Sequence, residues 1–289
     1  MASIGLDYAS VDDNEAPDFV AARQAGARFA ILRAVYGRRV AGQMDNLPVY
    51  IDPVWARDSG AVKAAGLKRS AYLFVCYPQT GVETPSPEIQ AQAFIDHVQL
   101  EPNHDYVPMF DVEEKSDMLD PSGMYDWTLC VCRKLRDHYK AWPGMYTSAS
   151  VWRDNLGDHD APDLLECPLW LAGPWKDETQ VDLDGAPGYS PYTISQFGDA
   201  TNYWLYQYQG DATQWPGFSS TVDANRFHTV ARGSNGTIVR WIQRRVGAFA
   251  DGDFGPQTES AVKAFQIQHG LLADGIVGPL TFAPLSWVP

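Results

Sequence analysis

Hydrophobic and polar positions alternate in two distinct rhythms along the chain. Short apolar or β-branched runs predict strands at Ile4–Tyr8, Phe29–Val35, Ser70–Val75, Val107–Val112, Gly144–Thr147 and Leu169–Ala172. Amphipathic stretches between them predict helices at Asp18–Ala25, Pro53–Ala65, Pro87–Val98, Met124–Tyr139 and Ser150–Leu156. Proline suits the first helical turn, where its missing N–H costs nothing, and Gly26 and Gly66 stand where helix C-termini belong. After Leu169 the helical rhythm stops. Trp204–Tyr208 and Thr221–Asp223, leading into Phe227, continue as aromatic, β-rich segments. Five strand–helix units followed by three strands with little helix total eight strands, a number that closes into a barrel. The fold class expected is therefore α/β: a TIM-like barrel of about 230 residues. An open doubly wound sheet fits less well, since Gly5-Leu-Asp-Tyr-Ala-Ser10 offers a single glycine in place of a nucleotide loop.

The end of the chain has another rhythm. Asp251-Gly-Asp-Phe-Gly-Pro-Gln-Thr258 and Asp274-Gly-Ile-Val-Gly-Pro-Leu-Thr281 repeat the pattern D-G-x-[FV]-G-P-x-T at an offset of 23 residues. Asp-Gly makes a tight turn and Gly-Pro opens a helix. With apolar stripes over Thr237–Val246 and Thr258–His269, this predicts a small three-helix domain at 237–289. It follows a barrel at 1–231, with Arg232-Gly-Ser-Asn-Gly236 as linker.

Charge narrows the function. The net charge of -14 disfavours nucleic acid as a partner. Residues 233–289 are neutral, so the whole acidic excess lies before them. Cys76, Cys130, Cys132 and Cys167 show no C-x-x-C spacing, and the six histidines are not close-set, so no metal or other cofactor is expected. Free thiols, no basic-then-apolar N-terminus and no apolar run of spanning length predict synthesis in the cytoplasm without a signal peptide and no membrane association.

Acidic residues sit at the strand ends. Asp7 ends the first strand, Asp111 and Glu113 end the fourth, and Asp223 lies in the last. Active sites of parallel barrels form where the C-terminal strand ends converge. Residues i and i+2 of a strand point the same way, about 6.6 Å apart, so Asp111 and Glu113 should face one cleft. Closure of first strand on last should bring Asp7 to Asp223. Four clustered carboxyls repel one another and raise one another's pKa, which suits a glycosidase: one carboxyl protonated to donate, others ionised. The alternative for a lone D-x-E is a surface salt bridge or cap. Tyr72, Tyr77, Tyr146, Trp170, Trp175, Trp204, Tyr206 and Tyr208 lie on or just after predicted strands, where they would serve either as core or as a sugar platform.

Gly5-Leu-Asp-Tyr-Ala-Ser10, Phe29-Ala-Ile-Leu-Arg-Ala34, Ala71-Tyr-Leu-Phe74, Phe110-Asp-Val-Glu113, Gly144-Met-Tyr-Thr147, Leu169-Trp-Leu-Ala172, Tyr206-Gln-Tyr208 and Val222-Asp-Ala-Asn225 together resemble glycoside hydrolase family 25, the Chalaropsis-type lysozymes, in order and over residues 3–228. The resemblance implies an irregular barrel of eight strands and five helices. It also implies hydrolysis of the β-1,4 bond after N-acetylmuramic acid, with Glu113 as general acid and Asp7, Asp111 and Asp223 in the same site. Tyr72, Tyr77, Tyr146, Trp175, Tyr206 and Gln207 are the expected substrate-binding residues. Two departures touch subsite preference: the family usually has Trp-Gln-Tyr at 206–208 and a Tyr at Trp175. The C-terminal segment resembles the type-1 peptidoglycan-binding domain. A muramidase with such a tail and no signal peptide looks like a phage endolysin, a monomer released to the wall through a holin. Other readings are a wall-binding barrel without activity, a metal-dependent amidase or peptidase, and a chitinase, whose longer D-x-x-D-x-D-x-E run is absent.

Overall fold

A computed structural model describes residues 3–12, 16–157, 162–173 and 203–288. The strands are β1 (Ser3–Tyr8), β2 (Ala27–Tyr36), β3 (Tyr50–Ile51), β4 (Lys68–Phe74), β5 (Met109–Asp111), β6 (Gly144–Thr147), β7 (Leu169–Ala172), β8 (Leu205–Gln214) and β9 (Thr221–Phe227). The barrel helices are α1 (Phe19–Gln24), α2 (Pro53–Ala64), α3 (Pro87–His97), α4 (Pro121–Tyr139), α5 (Ala149–Asn155) and a short α6 (Pro162–Leu165). Strand order is β1-β9-β8-β7-β6-β5-β4-β2, closed by the parallel pairing of β1 with β2. Eight strands thus form the barrel and β3 only adds an edge to the end of β2. Strand β9 runs antiparallel to both neighbours, so Asp223, early in β9, sits opposite Asp7, late in β1.

Local chemistry sets the helix starts. Asp52 caps α2 by accepting from the Val54 N–H, with Pro53 in the first turn. Asp120 does the same for α4 through the Gly123 N–H. That cap and Pro121 begin α4 three residues before the apolar periodicity at Met124 does. The two-residue β3 and the four-residue α6 were not foreseen; both are too short to carry a period. Among the described residues no helix is long and apolar enough to cross a membrane. All four cysteines are free thiols.

Strand parity divides the side chains into two sets. Ala30, Leu32, Leu73, Phe110, Val112 and Met145 face outward into the layer under the helices. Phe29, Ile31, Tyr72, Met109, Tyr146, Trp170, Leu205 and Phe227 fill the barrel interior. Gly5 is part of this packing, because a Cβ there would stand 1.8 Å from the Phe29 ring.

The C-terminal helices α7 (Thr237–Val246), α8 (Pro256–Gln268) and α9 (Pro279–Leu285) follow a strict repeat. Gln243 Nε2 donates to Asp251 Oδ1, the Asp253 carbonyl and Thr258 Oγ1, while its Oε1 accepts from the Gly252 N–H. Twenty-three residues on, Gln266 makes the same four bonds to Asp274, Ile276, Thr281 and Gly275. One buried glutamine therefore clamps each D-G-x-x-G-P-x-T loop.

The stretch expected as a linker has the same geometry. Gly233, Gly252 and Gly275 all have positive φ, at +94°, +89° and +76°. Three residues later Gly236, Gly255 and Gly278 stand at the N-caps of α7, α8 and α9. Residues 232–236 form a third such turn, fastened by reciprocal bonds of Gly233 N–H to the Phe254 carbonyl and of Phe254 N–H to the Ser234 carbonyl. They are not a free tether.

These helices close the barrel end at which β2 and β4 begin. The Phe282 ring lies 4.6 Å from Trp204, 5.2 Å from Tyr106 and 5.3 Å from Phe227, and Trp241 lies 5.0 Å from Trp204. Val230 and Val277 exchange backbone hydrogen bonds. Trp241 Nε1 donates to the Glu166 carbonyl, and Trp287 Nε1 to that of Asp105. Interior barrel residues and the C-terminal helices share one apolar cluster.

Candidate active site

The other end of the barrel carries polar residues on the same inward parity. Above Phe29 and Ile31 comes Arg33; above Met109 come Asp111 and then Glu113; above Leu205 comes Gln207. Register sets Phe74, Asp111, Tyr146 and Trp170 side by side on four neighbouring strands. A pocket of about 230 Å³ opens among them. Its lining includes Asp7, Asp111, Glu113, Asp223, Tyr72, Tyr146 and Gln207, seven of the ten residues named from sequence. Arg33, Tyr8, Asp12, Phe74 and Trp170 complete its polar and aromatic wall.

Two expected residues stand elsewhere, and a third lies outside the described residues. Tyr77 is fully buried beneath the rim, its hydroxyl 2.6 Å from Thr128 Oγ1 on α4. It follows β4, beyond the reach of strand parity. Tyr206 neighbours the inward Gln207, so parity turns it outward, against Tyr203 at 5.6 Å between ring centroids. Neither lines the pocket that holds the four carboxyls. Trp175 falls outside the described residues. Trp204 lies at the opposite end, under Phe282.

A hydrogen-bond network holds Asp7. Gln207 Nε2 donates to Asp223 Oδ2 at 2.7 Å and to Asp7 Oδ2 at 3.2 Å, and its Oε1 accepts from the Tyr146 hydroxyl at 2.6 Å. Asn225 Nδ2 donates to Asp7 Oδ2, and Asn225 Oδ1 accepts from Trp170 Nε1 at 2.7 Å. Trp170 and Tyr146 thus fix two amides that aim N–H groups at one carboxyl. Asn225 ends the Val222-Asp-Ala-Asn225 motif; its parity with Asp223 was the signal available in sequence.

Arg33 is the second residue missed. Its Nε donates to Asp52 Oδ2 at 2.8 Å, and that same oxygen accepts from the Ser10 hydroxyl. The cap of α2 therefore anchors a guanidinium in the pocket wall.

Burial dominates the proton affinities. Asp7 is pushed well above the ordinary carboxylate range by burial and then by the Asp223 charge, with the Asn225 and Gln207 hydrogen bonds opposing. Asp111 is also pushed well up, by burial, then by Glu113 and Asp7, against the pull of Arg33. Glu113, exposed at the pocket mouth, is raised by the partial desolvation of its carboxyl and then by the Glu114 charge. Repulsion between Asp111 and Glu113 therefore favours a proton on the pair, and Glu114 adds to it from the Glu113 side. Asp111 Oδ1 is buried and has no hydrogen-bond partner among the described residues. Among the described residues no group of three or more His, Cys, Asp or Glu side chains is arranged to hold a metal ion.

Asn225→Ala tests the network. It removes a charge-assisted N–H from Asp7 and leaves the Trp170 N–H unpaired. Loss of such a bond costs about 1.5–3 kcal/mol, so kcat/KM should fall by roughly 10- to 100-fold, with the fold retained in circular dichroism. Wild-type kcat/KM would remove Asp7 from the working site.

A closed barrel with paired carboxyls in a pocket at one end, and a helical stopper at the other, defines a barrel hydrolase of glycosidase type. The family model for glycosyl hydrolases family 25 matches residues 7–218, and that for a putative peptidoglycan binding domain matches residues 235–285. The chain belongs to glycosyl hydrolase family 25. Solved structures of similar fold include a bacterial lysozyme from Streptomyces coelicolor, with TM-score 0.59 and 20% identity, covering 78% of this chain and 92% of that one. A family 25 lysozyme from Aspergillus fumigatus has TM-score 0.58 and 21% identity, covering 78% and 94%. At such identities the likeness is one of fold. Among curated proteins, the zinc D-Ala-D-Ala carboxypeptidase of Streptomyces albus G is 47% identical over 62 residues, 19% of this chain and 24% of that protein. The N-acetylmuramoyl-L-alanine amidase CwlL of Bacillus licheniformis is 45% identical over 63 residues, 18% of each. The chain spans about a quarter or less of either.

Proposed function

We propose that the chain is a muramidase, hydrolysing the β-1,4 bond between N-acetylmuramic acid and N-acetylglucosamine in bacterial peptidoglycan. The observation that carries this reading is the meeting of Asp111 and Glu113 in one pocket, both with raised proton affinity. Glycosidic oxygen is a poor leaving group unless protonated, and a carboxyl of raised proton affinity holds the proton it must donate. Glu113, less buried and one methylene longer, reaches for the leaving oxygen. The unpartnered Oδ1 of Asp111 is an acceptor suited to an N–H, which the acetamido group of either sugar carries. Positive charge developing at the anomeric carbon then draws Asp111 toward its ionised form. Asp7 and Asp223, bridged by Gln207, form the acidic wall opposite and favour holding a proton between them.

Residues 237–289 are the wall-binding part of this reading, and 1–231 the catalytic part, acting as a single chain. Digestion of purified walls tests the class: reducing ends should appear without new amino groups. New amino groups in place of reducing ends would make the activity an amidase or peptidase, and neither would make it a binding protein.

A further inference from the structure

Glu113 is followed by a second acid, and the two carboxyls go separate ways. Glu113 lines the pocket. Glu114 Oε2 accepts from the Tyr77 backbone N–H at 3.0 Å and pairs with Arg38 Nη2. The arginine is buried, and so is most of the glutamate side chain. Arg38 follows β2, Tyr77 follows β4 and Glu114 follows β5, three consecutive strands of the barrel. One ion pair therefore ties together the three loops that form this side of the rim.

We propose that the Arg38–Glu114 ion pair is a positioning device for Glu113, fixing the turn that aims it into the pocket and balancing the charge beside it. The proposal rests on the reading of Glu113 as general acid. A buried ion pair is weak evidence for stability, because desolvation offsets its attraction; here its position gives it another use. Arg38 offsets part of the negative charge that Glu114 places beside Glu113. Without Arg38, that charge stands uncompensated one residue from the acid and favours the protonated form of Glu113. Other charged and titratable groups face Glu113 across the pocket: Asp111 on its own segment, and Asp7, Asp12, Arg33, Tyr146 and Asp223 from other parts of the barrel. Tyr36 and Cys76 face the far side of Arg38. None of these changes in the variants below.

The test is the pH profile of kcat/KM on a soluble glycan. A general acid works protonated, so activity is lost on the basic limb as pH rises through its pKa. Arg38→Met should move that limb to higher pH. Glu114→Gln removes a charge that raises Glu113 and should move it to lower pH. The double variant should return near wild type, since the two effects share one cause, and Arg38→Lys should restore most of the Arg38→Met displacement. Lower activity with an unmoved limb, or displacement of both single variants in the same direction, would overturn the proposal. If Arg38→Met does not fold, the near-isosteric Glu114→Gln decides alone. Glu113→Gln separates the levels: if it is inactive while the limbs stay put, only the ion-pair proposal fails, and if it keeps wild-type turnover, the assignment of the acid fails first.

Discussion

Glu113→Gln should lower turnover on peptidoglycan by roughly 10²–10⁴, the usual share of general acid catalysis, in a protein that still folds and still binds walls. Glutamine keeps the size and the hydrogen-bonding atoms but has no proton to give. Desolvation at the pocket and the neighbouring Glu114 charge raise the pKa of Glu113, which favours the protonated form that a general acid needs. An activated leaving group, which departs without protonation, should restore much of the rate to Glu113→Gln and little to Asp111→Asn. The reverse order would exchange the two roles. Stability provides a separate check on Asp111. Its folded pKa lies above its unfolded one, so folding is penalised as pH rises above the unfolded value. Asp111→Asn should therefore melt higher than wild type at neutral pH, with the difference vanishing at acid pH where both states hold the proton. Loss of activity with gain of stability is the pattern of a group retained for function.

Truncation after Arg232 should abolish activity on short soluble glycans as well as on walls, because the barrel itself loses its fold. A tail on a flexible linker would raise local concentration on an insoluble polymer and leave the chemistry untouched, which is the expectation from sequence alone. The packing predicts otherwise. Phe29, Tyr106, Trp204 and Phe227 are at most 3% exposed, and Phe282, Trp241 and their neighbours share the cluster that buries them. Re-exposing four such rings at about 2 kcal/mol each forfeits on the order of 8 kcal/mol as an upper bound, against a net stability of about 5–15 kcal/mol. The truncated chain should be aggregated or molten, with near-ultraviolet dichroism lost. A soluble truncation with full activity on short glycans would show that the barrel closes without its stopper. Phe282→Ala in the full chain is the milder form: about 3–5 kcal/mol less stable, with the active pocket intact at lower temperature.

Much of this fold was legible because strands and helices of ordinary length carry their period openly. All eight barrel strands and the five longer barrel helices announce themselves that way. The acidic pocket was legible for the same reason: Asp111 and Glu113 share parity, and closure of β1 on β9 pairs Asp7 with Asp223. What escaped depends on three dimensions. Tyr206 beside Gln207 looks like a sugar platform in one dimension and is turned away by the alternation of its own strand. Tyr77 lies past a strand end, where parity no longer speaks. Arg33 reads as an interruption of an apolar strand until Asp52, from the next helix cap, is seen to hold it. The turn at 232–236 lacks the Asp and Pro of its two sister loops. Composition alone made it a linker, and only its positive-φ glycine and helix N-cap reveal the repeat.

A muramidase and a glucosaminidase differ in which glycosidic bond of the glycan strand is cut. The most direct measurement is mass spectrometry of a wall digest after borohydride reduction of the new reducing ends. Cleavage by the site built around Asp111 and Glu113 predicts muramitol, because a muramidase leaves N-acetylmuramic acid at the reducing end. Glucosaminitol in its place would contradict the account and make the chain a glucosaminidase.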